Sequence, residues 1–105
     1  MASPEAPAPN ATTSVVLSNG VRMPLVGFGC AGRLNRRPLG DALVAGYELF
    51  DTSQAAEWYD EGELGEALNT SSVPRERLFL TSKLHPRDLG EESTLNAFPT
   101  SLRHL

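Results

Sequence analysis

The chain has 105 residues, a formal net charge of −4 and a single cysteine. It has room for one small domain, no internal disulfide, and none of the basic surface that nucleic-acid binding needs. Apolar residues make up 40% of it, too many for a chain that stays unfolded, yet no apolar run approaches the ~20 residues that span a bilayer.

Residues 1–14, MASPEAPAPNATTS, lack the charged start and apolar core of a secretory signal. Their Pro, Ala and Ser content predicts a disordered tail. With Cys30 as the lone thiol, a cytoplasmic protein is expected, with neither nucleic acid nor membrane as a partner, and no metal-ligand set is read from the sequence.

Order is expected from Val15. Val15-Val16-Leu17-Ser18, the pair Asn19-Gly20 and Val21-Arg22-Met23 read as a β-hairpin. Asn-Gly tolerates the positive φ that a type I′ turn requires at both central positions. Leu25 to Gly29 reads as a short buried strand. Leu39, Ala42 and Leu43 share a helical face, predicting a helix over 39–45. Pro38 suits its first position and Gly46 the residue just past its end.

Tyr47 to Asp51 is a second strand, ending in a carboxylate. Asp60 and Glu63 have capping-box spacing, and Leu64, Ala67 and Leu68 extend an amphipathic helix over 61–69. Leu78 to Lys83 is a third strand, ending in an ammonium. A last helix over 94–105, capped by Ser93, carries Leu95, Phe98, Leu102 and Leu105 as its apolar face. Pro99 falls inside that pattern, where it costs about 3 kcal/mol, so a kink or a later start is expected.

The order is a hairpin, then strand and helix three times over. Such alternation with short connections argues for an α/β fold with a parallel sheet. The nearly continuous apolar strands fit a sheet covered on both faces.

Gly27-Phe28-Gly29-Cys30-Ala31-Gly32 matches G-x-G-x-x-G after a strand, and Asp51 follows nineteen residues after the last glycine. Taken alone this is a dinucleotide fingerprint. The fingerprint needs a helix starting at the third glycine, with its N-terminus facing the pyrophosphate. Pro38 would fall inside that helix and break it, which argues against a Rossmann fold.

Asp51 and Lys83 each close a strand, and Tyr59 lies in the loop after Asp51. In a parallel α/β fold, strand C-termini and the loops after them build the active site. A tyrosine hydroxyl ordinarily titrates near ~10 and is a poor proton donor at neutral pH. A neighbouring ammonium favours the phenolate, and a carboxylate keeps that ammonium charged and in place. Such a tyrosine can protonate a carbonyl oxygen while hydride reaches the carbon. Either end residue alone is more simply a turn cap or a solvated lysine; the three together in this order carry the reading.

These residues resemble the aldo-keto reductases, NADP-dependent oxidoreductases on an eight-fold β/α (TIM) barrel. The resemblance runs from Leu17-Ser18-Asn19-Gly20 through Pro24-Leu25-Val26-Gly27-Phe28-Gly29 and Ala45-Gly46-Tyr47-Glu48-Leu49-Phe50-Asp51-Thr52. It continues through Tyr59-Asp60-Glu61-Gly62-Glu63-Leu64-Gly65-Glu66-Ala67-Leu68 to Val73-Pro74-Arg75-Glu76 and Leu80-Thr81-Ser82-Lys83. Residues 15–105 then correspond to the N-terminal part of the barrel, the opening hairpin and the first three β/α units.

The resemblance implies catalytic roles for Asp51, Tyr59 and Lys83, NADP as cofactor, and a small aldehyde or ketone as substrate. It departs from the family in three places. Tyr59 lies eight residues after Asp51, a longer spacing than usual. Trp58 occupies an equally plausible column and is assigned instead to the substrate pocket, while Gln54 to Glu57 are expected to bulge outward. The family's catalytic histidine lies at the end of a fourth strand, and His85 and His104 are wrongly placed to replace it. Most of the family's cofactor site also lies beyond the third β/α unit, so this chain is expected to be a truncated barrel, inactive alone and at best marginally stable. The alternative is a non-catalytic remnant that binds another chain, or itself, through an exposed strand edge.

Overall fold

The structure is a computed structural model, and it describes residue 10 and residues 13–105. Most of the expected tail lies outside the described residues. The first strand, β1 (Ser14–Val16), pairs antiparallel with β2 (Arg22–Pro24), starting one residue before Val15, with Ser14 opposite Pro24.

The hairpin turn differs from the expected type I′. The Gly20 N–H donates to the Leu17 carbonyl at 2.9 Å, and the Leu17 N–H to the Val21 carbonyl at 2.7 Å. Of the loop residues only Gly20 has positive φ, at +85°. This is a three-residue loop closed by a left-handed glycine, the bulged alternative to a two-residue turn. Asn19 stays out of the left-handed region, and its side chain accepts the Val21 N–H at 3.1 Å.

Three strands then form a parallel sheet in the order β3 (Gly27–Gly29), β4 (Leu49–Asp51), β5 (Phe79–Thr81). In register, Gly29 lies beside Asp51 and Asp51 beside Thr81. The helices are α1 (Arg36–Ala45), α2 (Glu61–Thr70) and α3 (Glu91–His104), each packed on the next in chain order. Phe50 sits fully buried at the centre, with Leu39, Leu43, Leu64, Leu68 and Leu78 around it and the Phe28 ring tilted against it at 5.9 Å between centroids.

Helix α1 starts three residues earlier than the apolar pattern predicts. Asn35 caps it, its Oδ1 accepting the Arg37 N–H at 3.1 Å. Pro38 therefore stands third in the helix, where a missing N–H costs no helical hydrogen bond. Gly46 ends it as expected, with φ at +104°, while the Tyr47 N–H reaches back to the Ala42 carbonyl at 3.1 Å.

The last helix departs more. It begins at Glu91 after Gly90, and the Gly90 carbonyl accepts the Thr94 N–H at 2.9 Å; Ser93 lies inside the helix and Pro99 within one continuous element. Most of the expected apolar face is exposed, Leu95 68%, Phe98 57% and Leu102 64%, while Leu105 packs against the core. The face against α2 instead buries Ser101 and brings the helix end over Gly65.

A side chain at Gly65 would run into the His104 carbonyl oxygen, whereas one at Gly40, in α1, would meet only open space. Alanine in a helix interior is favoured over glycine by about 1 kcal/mol. Gly40→Ala is therefore expected to stabilise the chain by about that amount, and Gly65→Ala to destabilise it by about 1–3 kcal/mol through overpacking. Urea denaturation of the two variants checks the opposite signs.

Candidate active site

The sheet register places the acid. Asp51 ends β4 and Thr81 ends the neighbouring β5 directly beside it, so Lys83, two residues further on, emerges at the same edge. Beyond Asp51 the chain stays tied to that edge: the Thr52 N–H donates to the Thr81 carbonyl at 2.8 Å and the Gln54 N–H to the Lys83 carbonyl at 3.0 Å. The Ala55 carbonyl then accepts both the Trp58 and the Tyr59 N–H at 3.0 Å. That tight turn carries Tyr59 back over Lys83.

The expected outward bulge is thereby corrected. Ala55 is buried, and Gln54 points inward, its Nε2 donating to the Ala97 carbonyl at 2.9 Å and Ser101 Oγ at 2.8 Å. Only Ala56 and Glu57 stand out, with Glu57 held by the His85 ring at 3.0 Å. Satisfying an amide side chain against α3 fixes the direction of the turn, and spacing alone does not encode that contact.

Asp51, Tyr59 and Lys83 converge on one ammonium. Lys83 Nζ donates to Asp51 Oδ2 at 2.7 Å, to the Thr52 carbonyl at 2.8 Å and to the Tyr59 hydroxyl oxygen at 3.4 Å, and it stands 4.5 Å from the Tyr59 ring centroid. An ammonium only donates, so the tyrosine oxygen accepts here and its own proton stays available to another group.

Burial pushes the Asp51 carboxyl up. The Lys83 and Thr81 hydrogen bonds and the Lys83 charge outweigh this and hold it below the ordinary 3.8. Burial of Lys83 acts to lower its ammonium, but the bonds to Asp51 and Tyr59 prevail and raise it above 10.5. Cys30, buried beside β4, is pushed up to about 11 by burial and then by the Asp51 charge, against the Lys83 charge. A thiol held protonated in this way packs and does not attack.

Trp58 is not brought to this point. The residue is 59% exposed, and the cleft beside Tyr59 is lined by Gln54, Asp60, His85 and Arg87 instead. Its backbone has the structural role: the Trp58 carbonyl accepts the Gly32 N–H at 2.7 Å and the Arg33 N–H at 3.0 Å. The amides that a pyrophosphate would need after the glycine-rich strand are thus already used, and the helix starts only at Arg36.

Two of the cations that follow that strand are committed as well: Arg33 pairs with Asp60 at 3.5 Å and Arg36 with Glu63 at 3.4 Å. The turn after the glycine-rich strand therefore does not fit the phosphates of a dinucleotide. Nor do three His, Cys, Asp or Glu side chains gather among the described residues as metal ligands.

One functional candidate escaped the sequence. Glu61, in the first turn of α2, is buried, and its Oε2 accepts Ser82 Oγ at 2.6 Å and Ser101 Oγ at 2.8 Å while Oε1 meets the His104 ring at 3.0 Å. It joins the start of the helix after Tyr59 to the residue before Lys83 and to α3. A glutamate at a helix start reads as a favourable terminal charge, and only the landing of α3 buries it. His85 and His104 both face carboxylates, Glu57 and Glu61.

No family model matches the chain. An uncharacterised oxidoreductase of Caenorhabditis elegans is 43% identical over 95 residues, covering 88% of this chain and 29% of that protein. Morphine 6-dehydrogenase of Pseudomonas putida is 36% identical over 92 residues, 85% of this chain and 30% of its own length. The crystal structure of an aldo/keto reductase from Brucella melitensis superposes with a TM-score of 0.79 at 38% identity, over 89% of this chain and 36% of that one.

Several further curated relatives, 36–39% identical, are named aldo-keto reductases. The chain spans about a third of the length of the relatives it matches, and its parallel sheet with helices is a partial TIM barrel that superposes on part of aldo/keto reductase structures. No helix among the described residues is long and apolar enough to cross a membrane.

Proposed function

We propose that Asp51, Tyr59 and Lys83 form the proton-donating part of an aldo-keto reductase site that interconverts a small aldehyde or ketone and its alcohol. The observation that supports this most is the single ammonium shared by Asp51 Oδ2 and the Tyr59 hydroxyl. As a carbonyl carbon gains hydride, its oxygen becomes an alkoxide, and the free Tyr59 proton passes to it. The phenolate left behind faces Lys83, whose charge stabilises it, and Asp51 keeps Lys83 charged and aimed. Oxidation of the alcohol runs the same proton in reverse, and the names of the relatives, a dehydrogenase and a reductase, cover both directions.

NADP is the cofactor this chemistry implies, and its reduced form would supply the hydride. Its phosphates find no seat at the turn after the glycine-rich strand. A cytoplasmic setting belongs to the same proposal.

A second reading draws support from the open face of the fold. β5 is an edge strand, and Leu95, Phe98 and Leu102 beside it are exposed. That surface suits pairing with another chain or a second copy, without chemistry. One assay separates the readings. A barrel in which these residues are completed by further β/α units should consume NADPH with a reactive aldehyde, while the 105 residues alone should not. A completed, folded barrel that leaves NADPH untouched with every aldehyde and ketone offered would favour the second reading.

A further inference from the structure

We infer that Thr81 is a positioning residue, which fixes the rotation of the Asp51 carboxylate and so aims Lys83 at Tyr59. The inference rests on the proposed site for its consequence in catalysis, but its geometry stands without it. Thr81 Oγ1 donates to Asp51 Oδ1 at 2.5 Å, while Lys83 takes Oδ2 at 2.7 Å. Each carboxylate oxygen thus has its own donor, and the plane of the group is set.

The sheet shows why this contact matters. Asp51 lies in a row across the three parallel strands, with Gly29 on one side and Thr81 on the other. Gly29 offers no side chain, and the space a Cβ would take there is open. On that side nothing stops the carboxylate from turning. Besides the mobile Lys83 side chain, the restraint on the carboxylate is Thr81, which acts from a β-branched side chain with few rotamers to choose from.

Without the hydroxyl, Asp51 could swing toward the Gly29 side and take Lys83 with it. The ammonium is shared with Tyr59 at 3.4 Å, so a small rotation would break that longer bond first. The groups facing Asp51 are Lys83, Thr81 and, from the strand beyond Gly29, the buried Cys30 thiol.

The test is made on the 105-residue chain and needs no turnover. Carbon NMR of the labelled Asp51 carboxyl and the labelled Tyr59 ring is followed against pH in the wild type, in Thr81→Val and in Thr81→Ser. Val keeps shape and strand preference and removes only the hydroxyl; Ser returns it. The Asp51 midpoint is expected to rise toward the ordinary 3.8 in Thr81→Val and to fall back in Thr81→Ser, and the Tyr59 resonance to shift and return with it. A Thr81 that only bonds the carboxylate would move that midpoint but leave the labelled Tyr59 ring resonance as in the wild type, so an unmoved midpoint, an unmoved Tyr59 resonance or a serine variant behaving like the valine one would overturn the inference.

Should Thr81→Val not fold, the wild-type chain still answers. The Thr81 hydroxyl proton should be slow to exchange and lose that protection as Asp51 protonates, and fast exchange throughout would count against the role. Failure of the carbonyl-reducing proposal would appear in NADPH assays and leave these titrations unchanged.

Discussion

Tyr59→Phe is expected to cut carbonyl reduction by a barrel containing these residues by about a hundredfold or more, the usual contribution of a positioned general acid, with cofactor binding unchanged. The substitution is nearly silent except for one atom. Phenylalanine keeps the ring that lies 4.5 Å from the Lys83 ammonium, and the Asp51–Lys83 pair at 2.7 Å does not depend on the hydroxyl. What disappears is the one O–H that Lys83 leaves free. Water can still protonate the alkoxide, so the loss is large but finite. It should fall on kcat, because the proton is needed only as charge develops on oxygen. Steady-state kinetics with an aldehyde, together with fluorescence titration of NADPH, measures both halves. Near-normal turnover in Tyr59→Phe would remove the proton donor from the proposal, and Trp58, exposed and without an ionisable O–H, could not replace it.

That convergence was legible because each of its parts has a local signature. A carboxylate and an ammonium at the ends of successive apolar strands must meet at one edge of a parallel sheet, whatever the exact strand boundaries. Pro38 likewise sufficed to argue against a dinucleotide helix at Gly32. Side-chain chemistry then linked Tyr59 to the pair, since only tyrosine offers an ionisable O–H, where alignment with the family left Tyr59 and Trp58 equally placed.

What stayed hidden depends on contacts between elements. Leu95, Phe98 and Leu102 mark the face of α3 that needs cover, and they gave the correct helix, but in the fold that face stays exposed. The orientation of α3 is set where it meets α2, and there the close approach at Gly65 and the hydrogen bonds of Ser101 to Glu61 and Gln54 decide. Neither a glycine in a helix nor a serine in an apolar pattern announces such a contact. Glu61 was missed for the same reason, and so was the inward turn of Gln54. In the hairpin, Asn19-Gly20 signalled a turn correctly, but a third loop residue relaxed the demand for positive φ at Asn19.

Phe50→Ala is expected to abolish cooperative unfolding of the 105-residue chain. Truncating a buried phenylalanine costs about 3–5 kcal/mol, from lost transfer energy and the cavity left behind. A complete small domain has only about 5–15 kcal/mol in reserve. This fold should have less, since its three-stranded sheet is open at β3 and β5 and part of α3 stays bare. Phe50 is also the residue hardest to compensate. It lies in the central strand, with the Phe28 ring against it and with Leu39 and Leu64, from α1 and α2, in the same core cluster, so its loss loosens both helices at once. Val44→Ala provides the contrast: Val44 is 90% exposed on α1, and its truncation should change stability by no more than about 0.5 kcal/mol. Urea titrations followed by circular dichroism would show a transition for Val44→Ala and a flat, non-cooperative decline for Phe50→Ala. If the wild type melts as a sharp, reversible monomer and Phe50→Ala still unfolds cooperatively within about 1 kcal/mol of it, the three β/α units hold together without their central ring. The stability would then have to come from the helix contacts at Gly65 and Glu61, where Gly65→Ala tests it directly.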